Sequence, residues 1–373
     1  MYWTFEKVFY GKKSGLSVPN VKQFLARGYC PIPHTLFAGY YKAVHRVGDH
    51  DQLASRIEKP FPDAVTVQKP EGRFAMHFSG GYDSSLLAQL YDGPDVDYLH
   101  LVGPETPKAR ILAATLKGKM HELTVTADDF IEAAEALTPQ MREPYAFNDV
   151  VFAYIASRKA KELGHTLVLT GDGGDPVFGG YNVGIDSGES ADIWKTLEPH
   201  RILGLKSFQP LMHSILDAWS RTTVPLEERK KDKLFLRRYL QGLGMPEEIV
   251  MQKKIPWAGS LGIRNDQKVS DHMQAAIDAS DYRWITEFTY PTPPVIGLQF
   301  RQYELVKHLE AAYKSKLDQA ETERLRQEVR QLNAVDDAAA ERARRKAQLK
   351  SLIPPILLKA TERMRRRPVR PSQ

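Results

Sequence analysis

Cysteine is nearly absent: Cys30 is the only one among 373 residues, so no intrachain disulfide can form and a disulfide-stapled secreted scaffold is excluded. No apolar run approaches the ~20 residues that a membrane span requires. No charged-then-apolar leader opens the sequence. These absences lead to an expectation of a cytoplasmic protein with no membrane partner. Glycine is missing from residue 314 onward and aromatic residues are missing after Tyr313. Stacking on unpaired bases is thereby removed from whatever the C-terminal segment does.

Charge is unevenly spread. From Lys314 to Gln373 there are 16 Lys or Arg against 8 Asp or Glu, a surplus of eight within a total of +6. The basic balance therefore belongs to the tail (314–373), where Leu325, Val329 and Leu332 fall on one helical stripe. Two readings of the tail stay open. One is a solvated helix interrupted at Pro354-Pro355 with a frayed basic end. The other is a docking element that contacts nucleic acid or an acidic protein electrostatically.

The most informative segment is Ser79-Gly80-Gly81-Tyr82-Asp83-Ser84-Ser85, set between the apolar run Phe74–Phe78 and the helix-like run Leu86–Leu90. A strand, a glycine-rich turn and a helix N-terminus in that order let backbone N–H groups and the positive helix end surround an anion. Ser79 and Ser84 add hydroxyls, and Gly80 and Gly81 permit close backbone approach. Asp83 beside a phosphate chain requires a divalent cation between the two anions, which points to Mg2+. A second strand-like run, Leu167–Thr170, leads into Gly171-Asp172-Gly173-Gly174-Asp175. In a parallel α/β sheet two such loops face one crevice, so Asp83 and Asp175 could share the metal.

These two loops resemble the SGGxDS signature of PP-loop ATP pyrophosphatases and the GDGGDxxFGGY pattern of the asparagine synthetase family. The similarity runs from about residue 25 to 310. It takes in Arg27–Phe37, Lys233–Arg238 and Pro246–Val250. It implies ATP and Mg2+ as cofactors, with Ser79, Gly80, Gly81, Asp83, Ser84 and Gly173 around the nucleotide phosphates. Leu101 and Val102 would be either adenine contacts or plain buried strand residues. Lys233 would hold the α-phosphate or departing pyrophosphate. Lys253, 20 residues on, would stabilise charge as an amine attacks an acyl-adenylate. Asp172 would orient the amine or accept its proton.

The sequence also departs from the family. No glutaminase domain with a catalytic N-terminal Cys is expected, and Cys30 reads as a buried apolar residue. Pro176 and Met251 replace an expected Glu and Arg. The segment Arg142–Phe147 loses two acidic positions, although Arg142 could itself pair with a carboxylate. The implied activity is an ATP-dependent amide-forming ligase acting on a small carboxylate, with ammonia, a separate glutaminase partner or another amine as nitrogen source. Alternatives are a β-lactam synthetase-like or lasso-peptide-cyclase-like ligase, a nucleic-acid-modifying PP-loop enzyme, and a silent nucleotide-binding scaffold.

The expected fold is α/β, a parallel sheet with helices on both faces, followed by a mainly helical part and the basic helical tail. Expected domains are an N-terminal segment (1–60), the PP-loop domain (61–313) and the tail (314–373). Strands are expected near 73–78, 97–102, 121–125 and 166–170. Ile215, Ala218, Trp219, Leu234, Leu236 and Leu240 are expected core residues of the helical part.

Overall fold

A computed structural model describes residues 4–47, 60–146, 148–178, 196–212, 214–230, 233–251, 262–263, 266–290, 297–313 and 318–351. Contacts divide the chain into two units. One is Met1–Arg283 with Gly297–Lys316, and the other is Trp284–Ile296 with Leu317–Gln373.

The first unit is built on a five-stranded sheet. Strand β3 (Phe74–His77) is buried at every residue, and β4 (Val96–Leu101) at all but one. Such unbroken apolar runs suit strands covered on both faces. Beside them lie β5 (Lys119–Leu123), β6 (Leu167–Leu169) and β7 (Lys206–Phe208), in the order β5-β4-β3-β6-β7. All neighbours run parallel, with Phe74 opposite Val96, Leu101 opposite Leu123, Ala75 opposite Val168 and Leu167 opposite Lys206. Edge strand β5 is partly exposed and carries Lys119, His121 and Glu122, polar chemistry that discourages further pairing.

Strand order reverses between β3 and β6. Right-handed crossovers therefore place the helices of the two halves on opposite faces. The crevice at that reversal is where open α/β sheets bind ligands. Helix Tyr82–Tyr91 follows β3 directly, and helix Thr106–Ala113 follows β4 with proline in its first turn. Helix Ala127–Leu137 starts at a capping box in which Thr126 and Asp129 satisfy each other's backbone N–H groups. Helix Asn148–Glu162 leads to β6. Beyond β7 the unit is helical, as expected: Leu236 and Leu240 are buried, Trp219 and Leu234 are half-buried, and the side chains of Ile215 and Ala218 lie outside the described residues.

The N-terminal segment adds an antiparallel ribbon, β1 (Thr4–Gly11) with β2 (Tyr40–Val47), paired from Thr4 opposite Val47 to Gly11 opposite Tyr40. Between its strands lies helix Val18–Arg27, whose Val18, Val21, Phe24 and Leu25 are buried on one face. Cys30 is buried as expected, and burial pushes its thiol up to about 12, so it stays protonated.

The second unit holds helix Gln319–Ser351. Leu325 and Val329 of the expected stripe are buried and Leu332 is half-buried. Asn333 donates from Nδ2 to the Glu287 carbonyl at 2.9 Å and accepts the Thr289 N–H at 3.1 Å. Arg324 pairs with Glu321 at 2.6 Å and also with Glu328, so much of the early charge of this helix is balanced locally. The basic run 363–367 lies outside the described residues. No helix among the described residues is long and apolar enough to cross a membrane.

Candidate active site

Residue 81 ends the turn after β3 and caps helix Tyr82–Tyr91 in an extended conformation, and no described side chain caps that N-terminus. The first intrahelical bond is donated by Ser85 to the Gly81 carbonyl, at 2.9 Å. The N–H groups of Tyr82, Asp83 and Ser84 thus precede the helical ladder and suit an anion. The turn is held from within. Ser79 Oγ accepts the Gly81 N–H at 3.2 Å and lies 3.1 Å from Ser84 Oγ, which donates to the Gly81 carbonyl at 3.0 Å. Gly80 has φ +76°, a left-handed conformation suited to glycine, and a Cβ there would press on Ala109 at 3.2 Å.

The loop after β6 touches this turn. A Cβ on Gly171 would lie 3.1 Å from Asp83 Cβ, and one on Gly174 would collide with Asp83 Oδ1. Gly173 has φ +96° and backs onto Met212. Both loops therefore meet at the strand-order reversal, bringing together residues about 90 positions apart.

Lys233 completes the junction. It is fully buried, and its Nζ donates to Asp83 Oδ2 and lies 2.7 Å from Asp175 Oδ1. Burial alone would lower its pKa, but Asp83 and Asp175 outweigh that penalty and hold it above the ordinary lysine value. Lys233 has φ 55° and stands at the N-cap of helix Leu234–Gly242, a conformation uncommon outside glycine.

Asp172 is drawn into a different network. Its Oδ2 accepts from Thr170 Oγ1 at 2.9 Å, Thr196 Oγ1 at 2.8 Å and Gln209 Nε2 at 3.4 Å. This ties the second loop to Thr196, ahead of helix Leu197–Leu203, and to Gln209, just after β7. Leu101 is buried at the end of β4, and the Val102 N–H is donated to the Leu123 carbonyl at 2.9 Å. Lys253 lies outside the described residues.

Several supporting residues were not singled out from sequence. His100 lies 2.8 Å from the Phe78 carbonyl through Nδ1 and 2.9 Å from Thr106 Oγ1 through Nε2. The hydroxyl of Thr106 also accepts the Gly103 N–H. The bonding fits a neutral ring that donates from Nδ1 and accepts at Nε2, and burial lowers the pKa of His100 accordingly. Tyr82, at the variable place of the first loop, lies between two cations: Lys108 Nζ is 5.8 Å and the Arg237 guanidinium 5.4 Å from its ring centre. Arg237 also donates from Nε to the Val250 carbonyl at 2.7 Å. Its place four residues after Lys233, one helical turn on, is the signal that sequence offered.

Arg142 does pair with a carboxylate, but an internal one. Its guanidinium meets Glu198 Oε1 at 2.7 and 3.0 Å, and its N–H meets Oε2 at 2.9 Å. Glu143, next in sequence, forms a buried ion pair with Lys42, which also donates to the Cys30 carbonyl at 2.6 Å.

One feature fits a divalent cation: Asp83 Oδ1 is buried with no hydrogen-bond partner among the described residues. Among the described residues no cluster of three or more His, Cys, Asp or Glu could hold a metal. Mg2+ is commonly held by one or two carboxylates together with substrate phosphates, which matches an Asp83–Asp175 pair.

Residues 57–229 match the asparagine synthase family model. Among curated proteins, the chain is 25% identical over 232 residues to a putative glutamine-hydrolysing asparagine synthetase 2 of Methanocaldococcus jannaschii, covering 52% of this chain and 44% of that protein. It is 33% identical over 150 residues to the glutamine-hydrolysing asparagine synthetase of Sandersonia aurantiaca, covering 35% and 28%. The match thus spans less than half the length of these relatives. An NMN synthetase structure from Francisella tularensis aligns with 73% of this chain and 98% of its own at 16% identity, with a TM-score of 0.31. Sheet order and the two loops carry the fold assignment, and residues 57–229 form an asparagine synthase family domain.

Proposed function

We propose that the chain is an ATP-dependent amide-forming ligase that adenylates a carboxylate, releases pyrophosphate and transfers ammonia or another amine to the acyl group. The observation that carries this reading is the placement of Lys233 between Asp83 and Asp175, with Asp83 in the first turn of helix Tyr82–Tyr91. Ser79, Gly80, Gly81 and Ser84 would bind the pyrophosphate portion of ATP. Asp83 and Asp175 would hold Mg2+, which when bound neutralises phosphate charge. Lys233 would follow the α-phosphate or the departing pyrophosphate, and Lys253 would stabilise charge on the reacting carbonyl, help of the kind typically worth ~3 kcal/mol. The backbone at Leu101 would border the adenine.

Sequence suggests that Asp172 orients the amine or accepts its proton; the three donors on its Oδ2 support a further role, holding the loop in place. An ammonium ion has no lone pair, so the attacking amine must arrive neutral or lose a proton to a nearby base. Segment 142–145 is spent on internal pairs with Glu198 and Lys42, which supports a carboxylate read elsewhere and not restricted to aspartate.

The test is release of AMP and pyrophosphate from Mg·ATP, with aspartate and ammonium in one set of assays and a panel of other carboxylates and amines in another. Turnover that forms asparagine assigns an ammonia-using asparagine synthetase. Turnover with another acid assigns a specialised ligase. Cleavage of ATP to ADP and phosphate in every set would overturn the adenylation reading.

A further inference from the structure

The position of Lys233 poses an electrostatic problem. Its ammonium is buried, and its backbone stands at the positive end of its own helix, where a cation is disfavoured. Asp83 and Asp175 are the anions that make this place tenable. Withdrawing either carboxylate would leave a buried cation short of a partner.

A divalent cation arriving alone would use the same carboxylates. It would bind Asp83 beside the ammonium already seated on Oδ2, setting two positive centres a few ångströms apart in surroundings that screen weakly. Among the described residues the two carboxylates carry −2, which exceeds the charge of Lys233 but falls short of Lys233 and a divalent ion together by one charge. A nucleotide polyphosphate changes the balance, because its oxygens can accept both the metal and the displaced ammonium. The glycine-rich turn and the positive end of helix Tyr82–Tyr91, which carries Asp83 in its first turn, are placed to receive them.

We infer that Lys233 is a built-in counter-ion that turns away free divalent cations, so that the site takes its metal only as the chelate of a nucleotide polyphosphate. This rests on the assignment of the metal to Asp83 and Asp175 in the ligase reading. Lys233 then has two seats, on the carboxylates before the nucleotide arrives and on phosphate afterward. Premature metal binding, which would order the loops around an empty nucleotide site, is prevented by the residue that later handles phosphate.

The experiment is a Mn2+ titration followed by electron paramagnetic resonance, on wild type and Lys233→Met, with and without the α,β-methylene analogue of ATP. Asp83→Asn serves as the blank for Mn2+ held by the analogue in solution. In wild type the analogue is expected to tighten Asp83-dependent Mn2+ binding at least tenfold. In Lys233→Met, Mn2+ alone is expected to bind at least tenfold more tightly than in wild type, with little further gain from the analogue. Wild type that binds Mn2+ equally well with and without the analogue, through Asp83, overturns the inference and leaves the metal assignment standing. That comparison needs no variant at Lys233, so it holds even if Lys233→Met fails to fold. Mn2+ bound under no condition, or bound unchanged in Asp83→Asn, overturns the metal assignment and the inference with it.

Discussion

Gly174 lies against Asp83 so closely that a Cβ at Gly174 would overlap the carboxylate oxygen Oδ1. The glycine-rich second loop is therefore a packing requirement of the first. An added methyl cannot be absorbed by a flexible side-chain end here, because the group it meets is pinned through Oδ2 to buried Lys233. Gly174→Ala should displace Asp83, lower stability by about 1–3 kcal/mol as overpacking does, and cut Mg·ATP-dependent pyrophosphate release by at least 100-fold. Urea unfolding and a pyrophosphate assay read the two effects separately. Unchanged turnover would show that the close contact is not needed for catalysis.

Asp83 and Asp175 can be separated from the fold by isosteric change. Asp83→Asn and Asp175→Asn keep shape while removing charge, and each should abolish ATP cleavage under saturating magnesium. Loss of a partner for buried Lys233 should also destabilise each variant, on the order of 3–5 kcal/mol for a broken buried pair. If either variant folds and turns over at the wild-type rate, the metal assignment is wrong.

The loops at 79–85 and 171–175 were legible in sequence because each lies between a short apolar strand and a helix start and is marked by closely spaced Gly and Asp. Strands β3, β4 and β6 were legible because buried parallel strands are written as short, largely apolar runs, whereas edge strand β5, expected near 121–125, is polar and spans Lys119–Leu123. The junction itself was not legible from local pattern: Lys233 lies 150 positions from Asp83, and its role was suggested by family resemblance and spacing. Thr196 and Gln209, 24 and 37 positions from Asp172, carry no motif. Strand β7 is three residues, Lys-Ser-Phe, too short to show a period. The ribbon of β1 and β2 was hidden because its strands find each other only in three dimensions, across a helix and a turn. In the tail, the stripe of Leu325 and Val329 did report burial, whereas Leu332 stays half-exposed.

Glu304 offers a pH test of the helical part. It is fully buried, and burial pushes its carboxyl up to about 8 against the opposing hydrogen bonds from Thr138 Oγ1 at 2.9 and 2.8 Å. Folded-state pKa is above unfolded, so the folded chain holds the extra proton between about 4.5 and 8. Its stabilising effect is complete below that window and lost as pH rises through it. His308, also buried, is depressed to about 4, so its contribution runs the other way, lost as pH falls from about 6.5 to 4. The slopes oppose each other where the windows overlap. Glu304→Gln should remove the decline above pH 6.5, and stability of wild type minus variant should fall across pH 4.5 to 8, on the order of 1.4 kcal/mol for each pH unit. Urea midpoints at half-unit steps check this. A flat difference would mean that Glu304 is ionised in the folded protein.

The Lys42–Glu143 pair tests whether segment 142–145 is structural. Both side chains are almost wholly buried, Lys42 also donates to the Cys30 carbonyl, and its ammonium lies 5.9 Å from the Tyr145 ring centre. Replacing one partner leaves a buried charge without its counter-ion, whereas replacing both removes the charges together. Lys42→Met alone should therefore cost about 3–5 kcal/mol, and Lys42→Met with Glu143→Gln should recover a substantial part of it. Thermal or urea unfolding of the two single variants and the double variant gives the coupling directly. If instead these residues read the acceptor carboxylate, the double variant would keep its stability deficit small but lose turnover through KM for that acid. A double variant that recovers both stability and KM would confine Lys42 and Glu143 to holding the N-terminal segment on the PP-loop domain.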